Sequence, residues 1–245
     1  TLGVYDKDDL IATFRLTTKL QRTSDEFGIT LFSFLQTKDI NPQAVEAVLI
    51  SSVVPKIMHS LTNAIRKYFN IEPMIVGPGI KTGISVRTEN PREVGADRIV
   101  DIAAAYYIYG GPALVIDFGT ATTYDIVGPD ATFEGAVIAP GIRTSAQAMW
   151  GQAAMLPAIE IKKPPTILAK ETVSSMQAGI VFGQIGQVEY IVNRIRLESG
   201  YADAKVVASG GLGNIIAKET EAIDIYDPQL TLKGLRIIYE KNKRS

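Results

Sequence analysis

The feature that most constrains this chain is an order of hydrophobic runs that occurs twice in its 245 residues. From residue 112 onward, Ala113-Leu-Val-Ile is a short apolar run that reads as a buried strand, closed by Asp117-Phe-Gly-Thr. Residues 122–127, rich in β-branched and aromatic types, form a second strand before a Gly128-Pro-Asp turn. A third strand spans 133–138 and ends at Ala139-Pro-Gly. Helical periodicity follows over 145–154 and 174–196, and Lys205-Val-Val-Ala-Ser is a strand stopped by Gly210-Gly. A further helix, a short strand near 222–225 and a last helix from Leu230 complete the series. The first half repeats the order with one omission. Strands are predicted at 2–5 and 10–16 around the turn Asp6-Lys-Asp-Asp. A helix over 24–37 has Ser24 as its cap and Phe27, Leu31, Phe34 and Leu35 as its apolar stripe. A buried strand at 45–54, a helix started by Pro55, a strand at 73–76 and a helix over 99–109 follow. The fold class is therefore α/β, a duplicated β-β-β-α-β-α-β-α unit with mixed β-sheets, divided into domains 1–111 and 112–245.

Composition narrows the chemistry. Apolar residues make up 46% and charged residues 21%, enough for two modest cores. A net charge of −1 without long runs of one sign argues against nucleic acid or an anionic membrane as partner. The basic end, Lys241 to Arg244, reads as a solvated terminus. There is no cysteine, which removes disulfides, thiolate nucleophiles and cysteine-ligated metals and fits a reducing cytoplasm. The single histidine, His59, cannot make a zinc site of the usual type and has no Gly-x-Ser-x-Gly elbow to serve; it reads as a helix-face residue. No apolar run reaches membrane-spanning length. Chemistry is left to carboxylates, hydroxyls, cations and backbone amides.

Three segments offer those groups. In Asp117-Phe-Gly-Thr-Ala-Thr-Thr, an aspartate leaving a buried strand can hold a cation. Gly119 permits a tight turn with exposed N–H groups, and Thr120 and Thr122 add hydroxyls, the parts needed for phosphate oxygens and their counter-ion. A plain hairpin turn with a capping aspartate has the same residues. Gly95-Ala96-Asp97-Arg98 opens a helix, where Asp97 suits the dipole; it also supplies the carboxylate and cation that phosphorylation of an anionic alcohol requires. Ser209-Gly210-Gly211-Leu-Gly lies between strand and helix, where paired glycines let the backbone approach a flat ligand such as adenine, or simply turn the chain. It has neither Walker A nor Rossmann spacing.

Taken in order, Val76-Gly-Pro-Gly-Ile-Lys-Thr-Gly83, Glu89-Asn-Pro-Arg-Glu-Val-Gly-Ala-Asp-Arg98, the Asp117–Thr123 segment, Ile138-Ala-Pro-Gly141, Thr172-Val-Ser-Ser-Met-Gln177, Ser209-Gly-Gly-Leu212 and Asp227-Pro-Gln-Leu-Thr-Leu232 resemble the bacterial type III pantothenate kinases over essentially the whole chain. The resemblance implies duplicated actin-like (ribonuclease H-like) domains with the nucleotide in a cleft between the halves. It implies ATP-dependent phosphorylation of pantothenate to 4′-phosphopantothenate, the first step of coenzyme A biosynthesis, in a cytoplasmic homodimer using Mg²⁺ and a monovalent cation, K⁺ or NH₄⁺. By position, Asp97 is the proton acceptor and Gly95, Ala96, Asp97 and Arg98 line the pantothenate site. Thr172 reaches pantothenate from the partner subunit, Asp117 holds the cation, and Gly119, Thr120, Thr122, Gly210 and Gly211 serve ATP. Thr88 stands where the family usually has a tyrosine on the substrate, and Ser209 replaces a usual threonine.

The resemblance also implies a leading strand and an Asp-x-Gly-Asn-Thr phosphate loop before Thr1, and the internal repeat agrees: the first half starts at what matches the second strand of the second half. Two other classes share such a fold. One is another actin-fold enzyme, such as a sugar kinase or polyphosphate phosphatase; the other is a regulatory relative that acts in transcription without catalysis.

Overall fold

The computed structural model describes residues 1–17 and 22–243, so Arg244 of the basic end lies outside the described residues. Two compact units emerge: residues 1–83, 92–100 and 232–245 form one, and 84–91 with 101–231 form the other.

In the first unit, β1 (Leu2–Asp6) and β2 (Asp9–Phe14) make an antiparallel hairpin, and β3 (Leu49–Ile50) pairs in parallel with β4 (Met74–Ile75). The strand expected over 45–54 thus reduces to a two-residue ladder, because only Leu49 and Ile50 find partners. Helix α1 (Ser24–Gln36) begins one residue away from the expected cap. Thr23, not Ser24, is the N-cap, since only Thr23 has a glutamate three positions on to close a capping box; its hydroxyl accepts from Glu26 N–H while Glu26 accepts from Thr23 N–H at 2.7 Å. Helix α2 (Pro55–Phe69) starts on its proline as predicted and ends on Asn70 in the left-handed region at φ 57°. The two helices meet through Phe32 against Tyr68 and Phe69, and through Gly28, where a Cβ would lie 2.2 Å from the Tyr68 ring. His59 lies on the exposed face of α2, 3.1 Å from Asn63. The opening turns of α3 (Ala96–Tyr109) belong to this unit, as does most of α7 (Leu230–Asn242).

The second unit is a six-stranded mixed sheet. Its strands are β5 (Ser85–Val86), β6 (Ala113–Phe118), β7 (Ala121–Val127), β8 (Thr132–Pro140), β9 (Lys205–Ser209) and β10 (Ile225–Tyr226), in spatial order β10-β9-β6-β7-β8-β5. β5 has no apolar run to announce it and was not anticipated. β6 runs parallel to β9 and antiparallel to β7, which is antiparallel to β8; β5 and β10 extend the edges in parallel. Every strand except β7 therefore points the same way. Helices α4 (Ile142–Gln152), α5 (Thr172–Ser199) and the short α6 (Gly213–Ala217) accompany it. Alternation along the strands puts Leu114, Ile116, Phe118, Tyr124 and Ile126 on one face, packed with Ile142 and Ala146 of α4 and Val181, Val188 and Val192 of α5. Fully burying aliphatic side chains of this kind stabilises by about 1.5–3 kcal/mol each. Burial also pushes the Tyr124 hydroxyl above its usual pKa, so it stays neutral.

Candidate functional site

Strand direction alone gathers the second unit's groups. Because β6, β8 and β9 run the same way, their C-terminal ends share one edge of the sheet, and β7 starts there. The turn from Asp117 to Ala121 sits in the middle. Asp117 pairs with Thr123 on one side and Ser209 on the other, which fixes the direction in which its carboxylate leaves the strand. Gly119 lies beside that carboxylate: a Cβ there would be 3.0 Å from Asp117 Oδ2.

On the β8 side, Gly141 N–H donates to the Thr120 carbonyl at 3.1 Å, and the Thr144 hydroxyl donates to the same oxygen at 2.7 Å. A Cβ on Gly141 would lie 2.3 Å from Gly119 O and 2.4 Å from Thr120 O, so only glycine allows this approach. Helix α4 starts at once, three residues earlier than its periodicity suggested, with Gly141 as a cap that has no side chain to satisfy the first amides. Those N–H groups and the positive end of the helix suit an anion. On the β9 side, Gly210 has φ +95°, and a Cβ there would lie 2.6–2.7 Å from Phe118 backbone atoms. Neither contact tolerates a larger residue.

The structure brings Asp117, Gly119, Thr120, Gly210 and Gly211 to one edge. Gly119, Thr120 and Gly211 are exposed there, and Asp117 is half-buried. The Gly119 amide, expected to face a ligand, is engaged within the turn by the Ala121 carbonyl at 3.1 Å. Thr122 is fully enclosed, on the strand face that packs against α4 and α5, and its Oγ1 has no partner among the described residues. Gly141 was legible through the Pro-Gly pair, but Thr144 was not, because its role depends on a turn that lies before β7 and β8 in the chain.

In the first unit, Gly95-Ala96-Asp97-Arg98 opens α3 as predicted. Asp97 Oδ1 accepts from the Arg98 N–H at 2.9 Å, and Ile99 N–H donates to Gly95 O at 3.2 Å. A Cβ on Gly95 would lie 2.5 Å from Asp97 Oδ1. Its absence makes room for the carboxylate. Thr172 is the first residue of α5 and lines a cavity of about 480 Å³ with Met149, Leu156, Lys170, Ser175 and Met176. Thr88 has its hydroxyl buried without a partner among the described residues. Asp227, from the Asp-Pro-Gln-Leu-Thr-Leu segment, accepts from the Tyr109 hydroxyl at 2.8 Å; burial first, then this carboxylate, pushes Tyr109 up to about 12.

A cation at Asp117 is compatible with this donor set in a particular way. Among the described residues no group of three or more acidic or histidine side chains could hold a metal ion. An ion there would complete its shell from backbone carbonyls, phosphate oxygens and water, ligands that hard cations accept.

The family model for type III pantothenate kinase matches residues 1–194. The chain belongs to the type III pantothenate kinase family. A type III pantothenate kinase from Agathobacter rectalis is 59% identical over 244 residues, covering 100% of this chain and 94% of that protein. Among solved structures, a Campylobacter jejuni protein described as a Baf family transcriptional activator superposes with a TM-score of 0.54 at 22% identity, over 81% of this chain and 84% of its own. That likeness shows a shared fold. An inorganic polyphosphate/ATP-glucomannokinase from Arthrobacter sp. strain KM aligns over 98% of this chain and 94% of its own at 13% identity and a TM-score of 0.45.

Proposed function

We propose that this chain transfers the γ-phosphoryl group of ATP to the primary hydroxyl of pantothenate, giving 4′-phosphopantothenate and ADP in the first step of coenzyme A biosynthesis. The observation that carries this is membership of the pantothenate kinase family, supported by 59% identity along the whole chain to a type III pantothenate kinase. In the reaction the bond between the γ-phosphorus and its bridging oxygen breaks, and the pantothenate oxygen bonds to phosphorus. Asp97 takes the hydroxyl proton. Arg98 holds the pantothenate carboxylate, with Gly95 and Ala96 lining the site and Thr172 reaching the acceptor from the partner subunit of a homodimer. Thr120 and the first amides of α4 cradle the phosphates, the Gly210-Gly211 loop takes the adenosine, and Gly119 and the enclosed Thr122 shape the turn. Mg²⁺ on the nucleotide and K⁺ or NH₄⁺ at Asp117 supply charge neutralisation when bound. Residues 1–111 and 112–245 are proposed as the two actin-like repeats, and the cytoplasm as the compartment. No helix among the described residues is long and apolar enough to cross a membrane.

An acceptor panel tests the assignment. Purified protein is given ATP, Mg²⁺ and K⁺ with pantothenate, glucose or mannose, and products are resolved by mass spectrometry. Phosphorylation confined to pantothenate supports the proposal; a phosphorylated sugar, or no ATP-dependent product, overturns it. The same assay in sodium-only buffer should be slow, and light scattering should give the mass of a dimer.

A further inference from the structure

The glycine loop after β9 and the turn after β6 are locked together by two aromatic rings. Gly210 leaves β9 with φ +95°, a conformation that side-chain-bearing residues rarely adopt, and its backbone lies against that of Phe118. Three residues on, a Cβ on Gly213 would be 2.7 Å from Phe118 Cδ2 and 2.9 Å from Tyr226 Cε2, so Gly213 sits between the two rings. Phe118 is the residue immediately after Asp117. Tyr226, at the end of the edge strand β10, packs half-buried on the same core, and its hydroxyl donates to the Gly210 carbonyl at 2.8 Å. This bond and a longer one from the Gly213 N–H, at 3.2 Å, hold the peptide whose orientation decides how the exposed Gly211 backbone is presented.

We infer that Tyr226 is a positioning residue for the nucleotide: its hydroxyl sets the Gly210-Gly211 peptide orientation, and its ring keeps that loop in register with the Asp117 turn through Gly213 and Phe118. The inference rests on the reading of Gly210-Gly211 as the adenosine loop. Tyr226 does not touch the reacting atoms and acts only through the loop. With only the Gly213 N–H left on it, the Gly210 carbonyl would be held less firmly, and part of the ATP binding energy would then go into restoring the loop. Such a loss raises KM for ATP while leaving the transfer step and the acceptor site as they were.

The experiment compares full-length wild-type, Tyr226→Phe and Gly211→Val enzymes, each with ATP and pantothenate varied separately and with melting temperatures recorded. Tyr226→Phe keeps the ring and removes only the hydroxyl. Its KM for ATP should rise roughly three- to tenfold, the loss of one hydrogen bond, while kcat and KM for pantothenate stay within about twofold. Tyr226→Leu, which removes the ring too, should raise KM for ATP further with the same selectivity. Gly211→Val places a branched side chain on the exposed loop and reports on the underlying reading. If Gly211→Val raises KM for ATP and Tyr226→Phe does not, the positioning role is overturned and the loop reading stands. If neither raises it, the loop does not serve the nucleotide and the inference falls with it. Equal rises in both KM values with a lowered melting temperature in Tyr226→Phe would show a general packing role and would also overturn it.

Discussion

Two regions carry the proposed chemistry, and glycine does different work in each. At the Asp117 turn, Gly141 and Gly210 face backbone: added Cβ atoms would lie 2.3 Å from Gly119 O and 2.6 Å from Phe118 O. At the start of α3, the Cβ added to Gly95 would meet the tip of a side chain, Asp97 Oδ1, at 2.5 Å. Backbone in a strand or in the hydrogen-bonded turn that joins two strands cannot yield without breaking those bonds, whereas a carboxylate can swing aside. The turn is therefore part of what holds its unit together, and its shape depends on residues far away in the chain. The helix start is built mostly from Gly95 to Ile99, with the Val53 side chain as its one distant neighbour at Gly95, and can change its chemistry with little effect on folding.

Substitutions in each region test the difference. The largest effect is expected from Gly210→Ala, which combines a φ of +95° with overlap on the Phe118 backbone. It should cost about 2–4 kcal/mol, or roughly 5–15 °C in melting temperature, and activity should disappear with stability. A melting curve within 2 °C of wild type, taking about 1 kcal/mol as the smallest shift worth counting, would remove the distinction between the regions.

Asp97→Asn should behave in the opposite way. Its amide oxygen can still accept from the Arg98 N–H, so the melting temperature should hold, but it cannot take the proton, and kcat should fall at least about a hundredfold. Near-normal turnover by the folded variant would exclude Asp97 as the base. Gly95→Ala probes the helix start directly. The new methyl should displace the Asp97 carboxylate, lowering kcat on the order of tenfold with small loss of stability. A large drop in melting temperature instead would mean that the helix start is as rigid as the turn. The smallest effect is expected from Thr144→Val, which removes one of the two donors to the Thr120 carbonyl. Loss of about 1 kcal/mol should raise KM for ATP roughly two- to tenfold, with KM for pantothenate unchanged. Equal changes in both would contradict a role confined to the phosphate side.

The same contrast explains what could be read from the sequence. The strands β6, β7, β8 and β9 were legible because each is a continuous or β-branched run closed by Asp, Gly or Pro. Asp97 and Arg98 were legible as a helix start for the same local reason. The run over 45–54 was equally apolar but became a two-residue ladder, since a strand exists only where a neighbour pairs with it. The cap of α1 went to Thr23 rather than Ser24 because of Glu26, a signal that was present in the spacing. Thr144 and Tyr226 left no signal at all. Each acts on a carbonyl, Thr120 and Gly210, that is brought near only by the order of strands in the sheet. Thr122 looked like a ligand donor from its place beside the turn, yet strand alternation turns it into the packed face.

Pantothenate phosphorylation by this chain can be followed through both of its products at once. Wild-type protein is incubated with ATP, pantothenate, Mg²⁺ and K⁺ while ADP and 4′-phosphopantothenate are followed together by phosphorus NMR. A pantothenate kinase should give the two products in equal amounts and neither when pantothenate is left out. ADP released without 4′-phosphopantothenate, or no turnover by the folded protein, would contradict the assignment.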